Sequence, residues 1–211
     1  MPGRQRSNPR DPGTAGDWRS LPPPRIPAGV ALAEAMAARR SRREFARRPL
    51  SMDQVSGLLW AGQGVTSPDG RRAAPSAGAL YPVTLVLVDG RGVFRYRPAG
   101  HALLQLLAGD RRAALAAAAL GQACVAEAAA NVVIGADPER LRPVYRDRSE
   151  RYCLLEAGHV AQNLLLAATA LGLAAVPVGA FDDRRLHEAA GLEEGSLALY
   201  LVAVGVPAGG A

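Results

Sequence analysis

Lysine is missing from this chain: all 25 of its Lys and Arg positions are arginine. The formal charge of +6 is carried by guanidinium groups, scattered along the sequence with clusters at 39–43, 47–48 and 142–151. A basic balance suits nucleic acid, an anionic membrane surface or an anionic small ligand; a solvated arginine-rich surface is the plainer reading. Aromatics are scarce too, at 5%, too few for the base-stacking platforms of single-strand binders. With no nucleic-acid motif present, nucleic acid is not an expected partner.

Cysteine is nearly absent. Cys124 and Cys153 lie far apart in no CxxC or metal-spaced set, which argues against a disulfide framework and a cysteine metal site. Both read as small buried hydrophobes in a reducing compartment. Long apolar runs are lacking as well. The longest stretch free of charged, histidine and amide side chains, Leu164 to Phe181, is cut by Gly172, Pro177 and Gly179 and falls short of the roughly 20 residues a spanning helix needs. Residues 1 to 17 are polar and rich in Pro and Gly, with no apolar segment of the secretory kind. The expectation is a cytoplasmic protein that makes no membrane contact.

What is present suits one substantial domain: 211 residues, 49% apolar and 21% charged. Residues 1–27 hold seven prolines and read as a disordered tail, leaving 28–211 as the domain. Helices are predicted at 29–40, with Val30, Leu32, Ala33 and Met36 on its apolar side, and from Ser51, where Ser51 and Gln54 form a capping box and Gly62 or Gly64 ends the run. Further helices are predicted at 102–108, 110–120, 149–171 and 183–190, the last capped by Asp182 and closed by Gly191. Strands are predicted at 83–88, 93–96, 131–136, 174–178 and 197–204. Without a strict βαβ alternation, the class is α+β, a mixed central sheet flanked by helices.

Four segments carry chemistry. In Arg39-Arg40-Ser41-Arg42-Arg43, alternate guanidiniums flank a hydroxyl at a turn, a donor set that suits phosphate; a solvated charge run is the commoner origin of such a stretch. In Ala74-Pro75-Ser76-Ala77-Gly78-Ala79-Leu80-Tyr81-Pro82, prolines pin both ends and small residues let main chain approach a planar ligand; an ordinary tight loop reads the same way. Within the long helix, Glu156, His159 and Asn163 stand at i, i+3 and i+7, on one face. A metal is not expected there, because further ligands are not evident, and a hydrogen-bonded core network is. Lastly, Val178-Gly179-Ala180-Phe181 ends a strand in small residues whose N–H groups can meet the edge of a flat heteroaromatic ring.

In this order the segments resemble the nitroreductase superfamily, and within it the SagB-type branch that includes the azoline dehydrogenases. The resemblance runs from about Leu21 to Pro207 and rests on RRSRREF at 39–45, LLWAGQG at 58–64, APSAGALYP at 74–82, LEAGHVAQN at 155–163 and VGAF at 178–181. It implies the FMN-dependent nitroreductase-like fold, built as an intertwined homodimer with FMN at the subunit interface. Arg39, Ser41 and Arg43 match the motif that holds the FMN phosphate. Pro75, Ser76 and Ala77 match the loop reaching the isoalloxazine from the other subunit. Gly179 and Ala180 match the strand end facing the ring, and Asn163 lies in the matching helix. The implied activity is oxidation of a peptide or natural-product intermediate, with a partner enzyme of a biosynthetic complex as a further expected partner; NAD(P)H-dependent reduction of nitro compounds or quinones and a catalytically impaired scaffold are the alternatives. Two departures stand out. The azoline dehydrogenases carry a Lys-Tyr pair where this chain has Val144 and Tyr145, which leaves Tyr145 as the candidate proton donor or acceptor, with plain packing as its other reading. Many relatives also place a basic residue after the last strand, where this chain has none.

Overall fold

The computed structural model describes residues 17–27 and 30–209. Eight strands form one sheet in the order β1-β5-β4-β3-β6-β8-β2, with β7 also paired to β8. They are β1 (Trp18–Ser20), β2 (Phe45–Ala46), β3 (Val83–Asp89), β4 (Gly92–Arg97), β5 (Ala102–Ala108), β6 (Ala130–Ala136), β7 (Ala174–Val178) and β8 (Leu197–Pro207). The helices are α1 (Leu32–Ala38), α2 (Met52–Gln63), α3 (Arg112–Ala118), α4 (Ala123–Glu127), α5 (Arg142–Tyr145), α6 (Ser149–Ala170) and α7 (Asp183–Ala190).

The central strands are apolar at successive positions because both their faces are covered. On β3, Leu85 and Leu87 join Leu58, Leu59 and Leu164 of α2 and α6, while Val86 and Val88 join Leu115, Val125 and Leu186 of α3, α4 and α7. The period of two along a strand thus splits one valine-leucine run between two cores. The cap signals of α2 and α7 hold as read. Ser51 and Gln54 make the reciprocal capping box and Gly64 is the C-cap of α2; Asp182 caps α7 and Gly191 closes it in the left-handed conformation. Both cysteines are free and buried, and burial pushes the Cys153 thiol up to about 12. Among the described residues no helix is long and apolar enough to cross a membrane.

Three expectations need correction. Residues 102–108, expected as a helix from their Ala and Leu content, are strand β5, because the open edge of β4 needs a partner and pairing overrides a weak propensity. The expected tail at 1–27 lies partly outside the described residues. Its described end belongs to the domain: β1 pairs with β5 and Leu21 is buried. The apolar side expected of the first helix faces outward, with Leu32 67% and Met36 59% exposed, and Ala35 is the position that turns inward.

Candidate active site

The arginine-serine run leaves α1 and travels beside the start of β7. Ser41 forms a parallel bridge with Ala175, and the Arg42 N–H donates to the Ala175 carbonyl at 3.0 Å. Phe45 and Ala46 then pair with Pro207 and Val206 of β8. The buried Phe45 ring rests on bare backbone: a Cβ at Gly205 would stand 2.7 Å from it. This anchorage leaves Ser41 and Arg43 exposed and Arg39 half-buried. Among the described residues no carboxylate pairs with Arg39 or Arg43.

Gly179 and Ala180 follow the last residue of β7 and are exposed. The Ala180 carbonyl accepts from the Gln122 side chain at 3.0 Å, and the Asp182 N–H donates to Ala118 at 2.9 Å. These contacts fix the turn against α3 and α4. Among the described residues, no hydrogen bond engages the backbone N–H of Gly179 or Ala180.

The third segment is a strained loop. Gly78, Ala79 and Tyr81 have φ of 60°, 53° and 48°, a region that side-chain-bearing residues avoid at a cost of order 1–3 kcal/mol each. Such a conformation persists only where the surroundings over-determine it. Here the Tyr81 N–H donates to Ser76 Oγ at 2.9 Å, the Tyr81 hydroxyl accepts from the Arg72 N–H at 3.2 Å, and the Tyr81 carbonyl accepts from Arg140 at 2.8 Å. The Arg72 guanidinium lies 4.4 Å from the Tyr81 ring centre. The side chain of Ser76 is thereby drawn inward, while the N–H groups of Ser76, Ala77 and Gly78 stay unengaged among the described residues.

Beneath the loop lies a polar cluster that sequence reasoning caught only in part. Glu156 of α6 is 2% exposed and accepts from Gln63 Nε2 at 3.1 Å; Gln63 Oε1 accepts from Arg72 at 3.1 Å. Burial pushes the Glu156 carboxyl above the ordinary range, opposed by Ser76, Gln63, Arg72 and the Val83 N–H. Gln63 and Arg72 were not foreseen, although a glutamine between Gly62 and Gly64 on an apolar helix was the available signal. His159 is not part of the network expected of it. Three residues along a helix turn about 300°, so His159 stands about 60° off the Glu156 direction, and it is exposed. Asn163 comes back under the core face and donates to the Ala61 carbonyl at 3.1 Å, tying α6 to α2.

Tyr145 stands against the same loop. A Cβ on Gly78 would lie 3.1 Å from the Tyr145 hydroxyl, and the Tyr145 ring packs against Tyr152 with centres 4.6 Å apart and planes tilted by 53°. Two groups of expected residues result: Arg39, Ser41, Arg43, Gly179 and Ala180 along β7, and Pro75, Ser76, Ala77 and Tyr145 over α6. A cavity of about 600 Å³ between residues 45–50, 89–91, Arg112 and 126–130 contains none of them.

The profile of the nitroreductase family matches residues 36–206. The chain belongs to the nitroreductase family. Its members are flavoproteins, and this nitroreductase-family chain is an oxidoreductase. A protein of Methanocaldococcus jannaschii carrying the nitroreductase name is 40% identical over 179 residues, 82% of this chain and 90% of that protein. The trifolitoxin operon protein TfxC of Rhizobium leguminosarum bv. trifolii is 29% identical over 93% of this chain and 60% of its own length. Among solved structures, a nitroreductase of Ralstonia eutropha JMP134 superposes with a TM-score of 0.82 at 30% identity, covering 93% of this chain and 92% of that one. The NADPH:FMN oxidoreductase of Vibrio harveyi, solved with NAD+, superposes at 0.64 and 27%, covering 84% and 69%. These likenesses run through the described sheet and agree with its mixed α+β architecture.

Proposed function

We propose that this nitroreductase-family enzyme binds FMN and acts as a SagB-type dehydrogenase, oxidising a peptide or natural-product intermediate in the cytoplasm. The residues fit the cofactor. Arg39, Ser41 and Arg43 offer charge-assisted donors to a phosphate, and the free N–H groups of Gly179 and Ala180 suit the acceptor edge of a flavin ring. A strand rise of about 3.3 Å per residue sets Gly179 roughly 13 Å beyond Ala175, room for a ribityl chain between the two. The group formed by Pro75, Ser76, Ala77 and Tyr145 completes the site from a second subunit. Exposed Leu32 and Met36 on α1, with Leu154 and Leu155 on α6, provide apolar surface for that homodimer.

Bound FMN supplies hydride transfer at its N5. The chain's own part is to neutralise the phosphate, hold the ring between two sets of backbone donors and keep Tyr145 beside it. The observation that supports this reading is the Tyr145 hydroxyl against Gly78: with FMN bound beside this loop, a proton-handling group would stand near the ring. The likeness to TfxC, a product of a trifolitoxin operon, supports a natural-product substrate.

A second reading has its own support. Val144 is 61% exposed where azoline dehydrogenases carry lysine, and without that base an NAD(P)H-driven reductase of nitro compounds or quinones is the simpler chemistry. The test is turnover of the purified protein with two sets of partners. Oxidation of a heterocycle-bearing peptide dependent on O₂ supports the first reading. Steady consumption of NADPH with a quinone supports the second. Turnover with neither, in a flavin-loaded protein, leaves a scaffold.

A further inference from the structure

We propose that Glu156 is a positioning residue, holding the strained Pro75–Tyr81 loop in its working shape through Gln63, Ser76 and Arg72. It rests on the reading that this loop faces the cofactor.

The argument starts from what each donor can do. The Gln63 side chain, 1% exposed, turns its oxygen to the Arg72 guanidinium and its NH₂ to Glu156, both at 3.1 Å. An amide set this way has its dipole aligned between a cation and an anion and favours a charged Glu156. Ser76 Oγ already accepts from the Tyr81 N–H, so its own proton is left to give. Glu156 Oε2 makes no hydrogen bond of normal geometry in the structure, yet the Ser76 hydroxyl and the Val83 N–H both lie near enough to favour its charge. A buried oxygen with no full partner, near a hydroxyl with a proton to spare, is a place where a hydrogen bond can form between α6 and the loop.

The loop needs such a hold. Gly78, Ala79 and Tyr81 all sit at positive φ, and a strained backbone relaxes unless it is pinned. The pins are Ser76 and Arg72: Glu156 is joined to Arg72 through Gln63, and the Ser76 hydroxyl lies near enough to favour its charge. The groups around the carboxyl are Gln63 from α2, Arg72 and Ser76 from the loop region, the Val83 N–H from β3 and the raised thiol of Cys153 one turn back on α6. Arg72 is the charged one at neutral pH. Ionisation of Glu156 therefore tightens the loop and protonation slackens it.

The experiment compares the full-length protein with Glu156→Gln, Ser76→Ala and the double variant. Amide hydrogen exchange of the peptide spanning residues 75–81 is read by mass spectrometry, and kcat, KM and the visible circular dichroism of the flavin are read alongside. Both single variants should exchange faster in this peptide by a similar factor, and the double variant should be no faster than either. Kcat should fall several-fold with KM nearly unchanged, and the pH dependence of exchange in the parent should flatten in Glu156→Gln. Ser76→Ala, at a half-buried position, keeps the test open should Glu156→Gln not fold. Additive effects, or exchange confined to other peptides, would overturn the proposal. Exchange needs no flavin: a colourless protein whose loop still responds refutes the cofactor reading and leaves the coupling standing, while a flavin-loaded protein with an unresponsive loop does the reverse.

Discussion

Ser56 Oγ and His101 Nε2 stand 2.7 Å apart, joining α2 to the β4–β5 turn. The Ser56 hydroxyl donates to the Pro22 carbonyl at 2.7 Å, so it must accept from Nε2–H. His101 Nδ1 is then the acceptor for the Tyr96 hydroxyl at 2.7 Å. Neutral histidine uses every proton in this chain once. A charged ring would turn the Tyr96 contact around and strand the phenol proton. The chain also fastens the segment after β1, since the Leu21 N–H donates to the His101 carbonyl at 2.9 Å.

A pH dependence follows. Burial pushes His101 below its ordinary value, partly offset by the Pro22 carbonyl. A histidine depressed by folding contributes stability that is whole above about pH 6.5 and is lost as pH falls through the folded value, because the unfolded chain binds the proton more readily. The melting temperature should drop between pH 7.5 and 5.5, and His101→Asn should flatten that slope. Glu156, raised by burial, acts with the opposite sign, so the comparison of slopes between parent and variant is decisive. An equal slope in His101→Asn contradicts the assignment.

Gly205 supports the arginine-serine run from behind. Gly205→Ala puts a methyl 2.7 Å from the Phe45 ring, and overpacking of this kind costs about 1–3 kcal/mol. Thermal unfolding should shift down by several degrees. FMN retention should weaken too, because β2 holds Arg39–Arg43 in place. A variant with unchanged melting and unchanged flavin content would show that β2 is not the anchor.

Arg39→Ala and Ser41→Ala should each weaken FMN binding. Losing a hydrogen bond to a charged group costs roughly 1.5–3 kcal/mol, about a ten- to hundredfold rise in Kd. Both positions are off the core, so melting of the flavin-free protein should hardly move. Full flavin occupancy in purified Arg39→Ala refutes the phosphate assignment.

Tyr145→Phe separates chemistry from packing. The tilted ring contact with Tyr152 survives the change and only the hydroxyl beside Gly78 is lost. As a proton donor or acceptor, Tyr145 should carry about 10²–10⁴ in rate, and flavin content should stay constant. An unaltered kcat assigns Tyr145 to packing alone.

The sequence made some parts of this legible because their causes are local. The capping box at Ser51, the Asp182 cap and the closing Gly191 each follow from neighbouring residues, and each stands where it was read. Strands β3, β6 and β8 were legible from apolar runs. Strand β5 was not: its Ala-Leu content favours a helix, and the reason it is extended lies in β4 and β1. The short β2 is likewise defined by a partner 160 residues away in β8. The candidate site was readable as four motifs, yet the Gln63–Glu156 contact, 93 positions apart, was beyond any spacing rule. His159 shows the complementary error, since three residues of helix were enough to carry it out of the core.

The most direct test of the central claim is the visible absorption spectrum of the purified protein, with the mass of any chromophore released on denaturation. Flavin bands and a released mass equal to FMN are the predicted result. A colourless protein that cannot be reconstituted with FMN would contradict the account and withdraw the roles given to Arg39, Ser41, Gly179 and Tyr145.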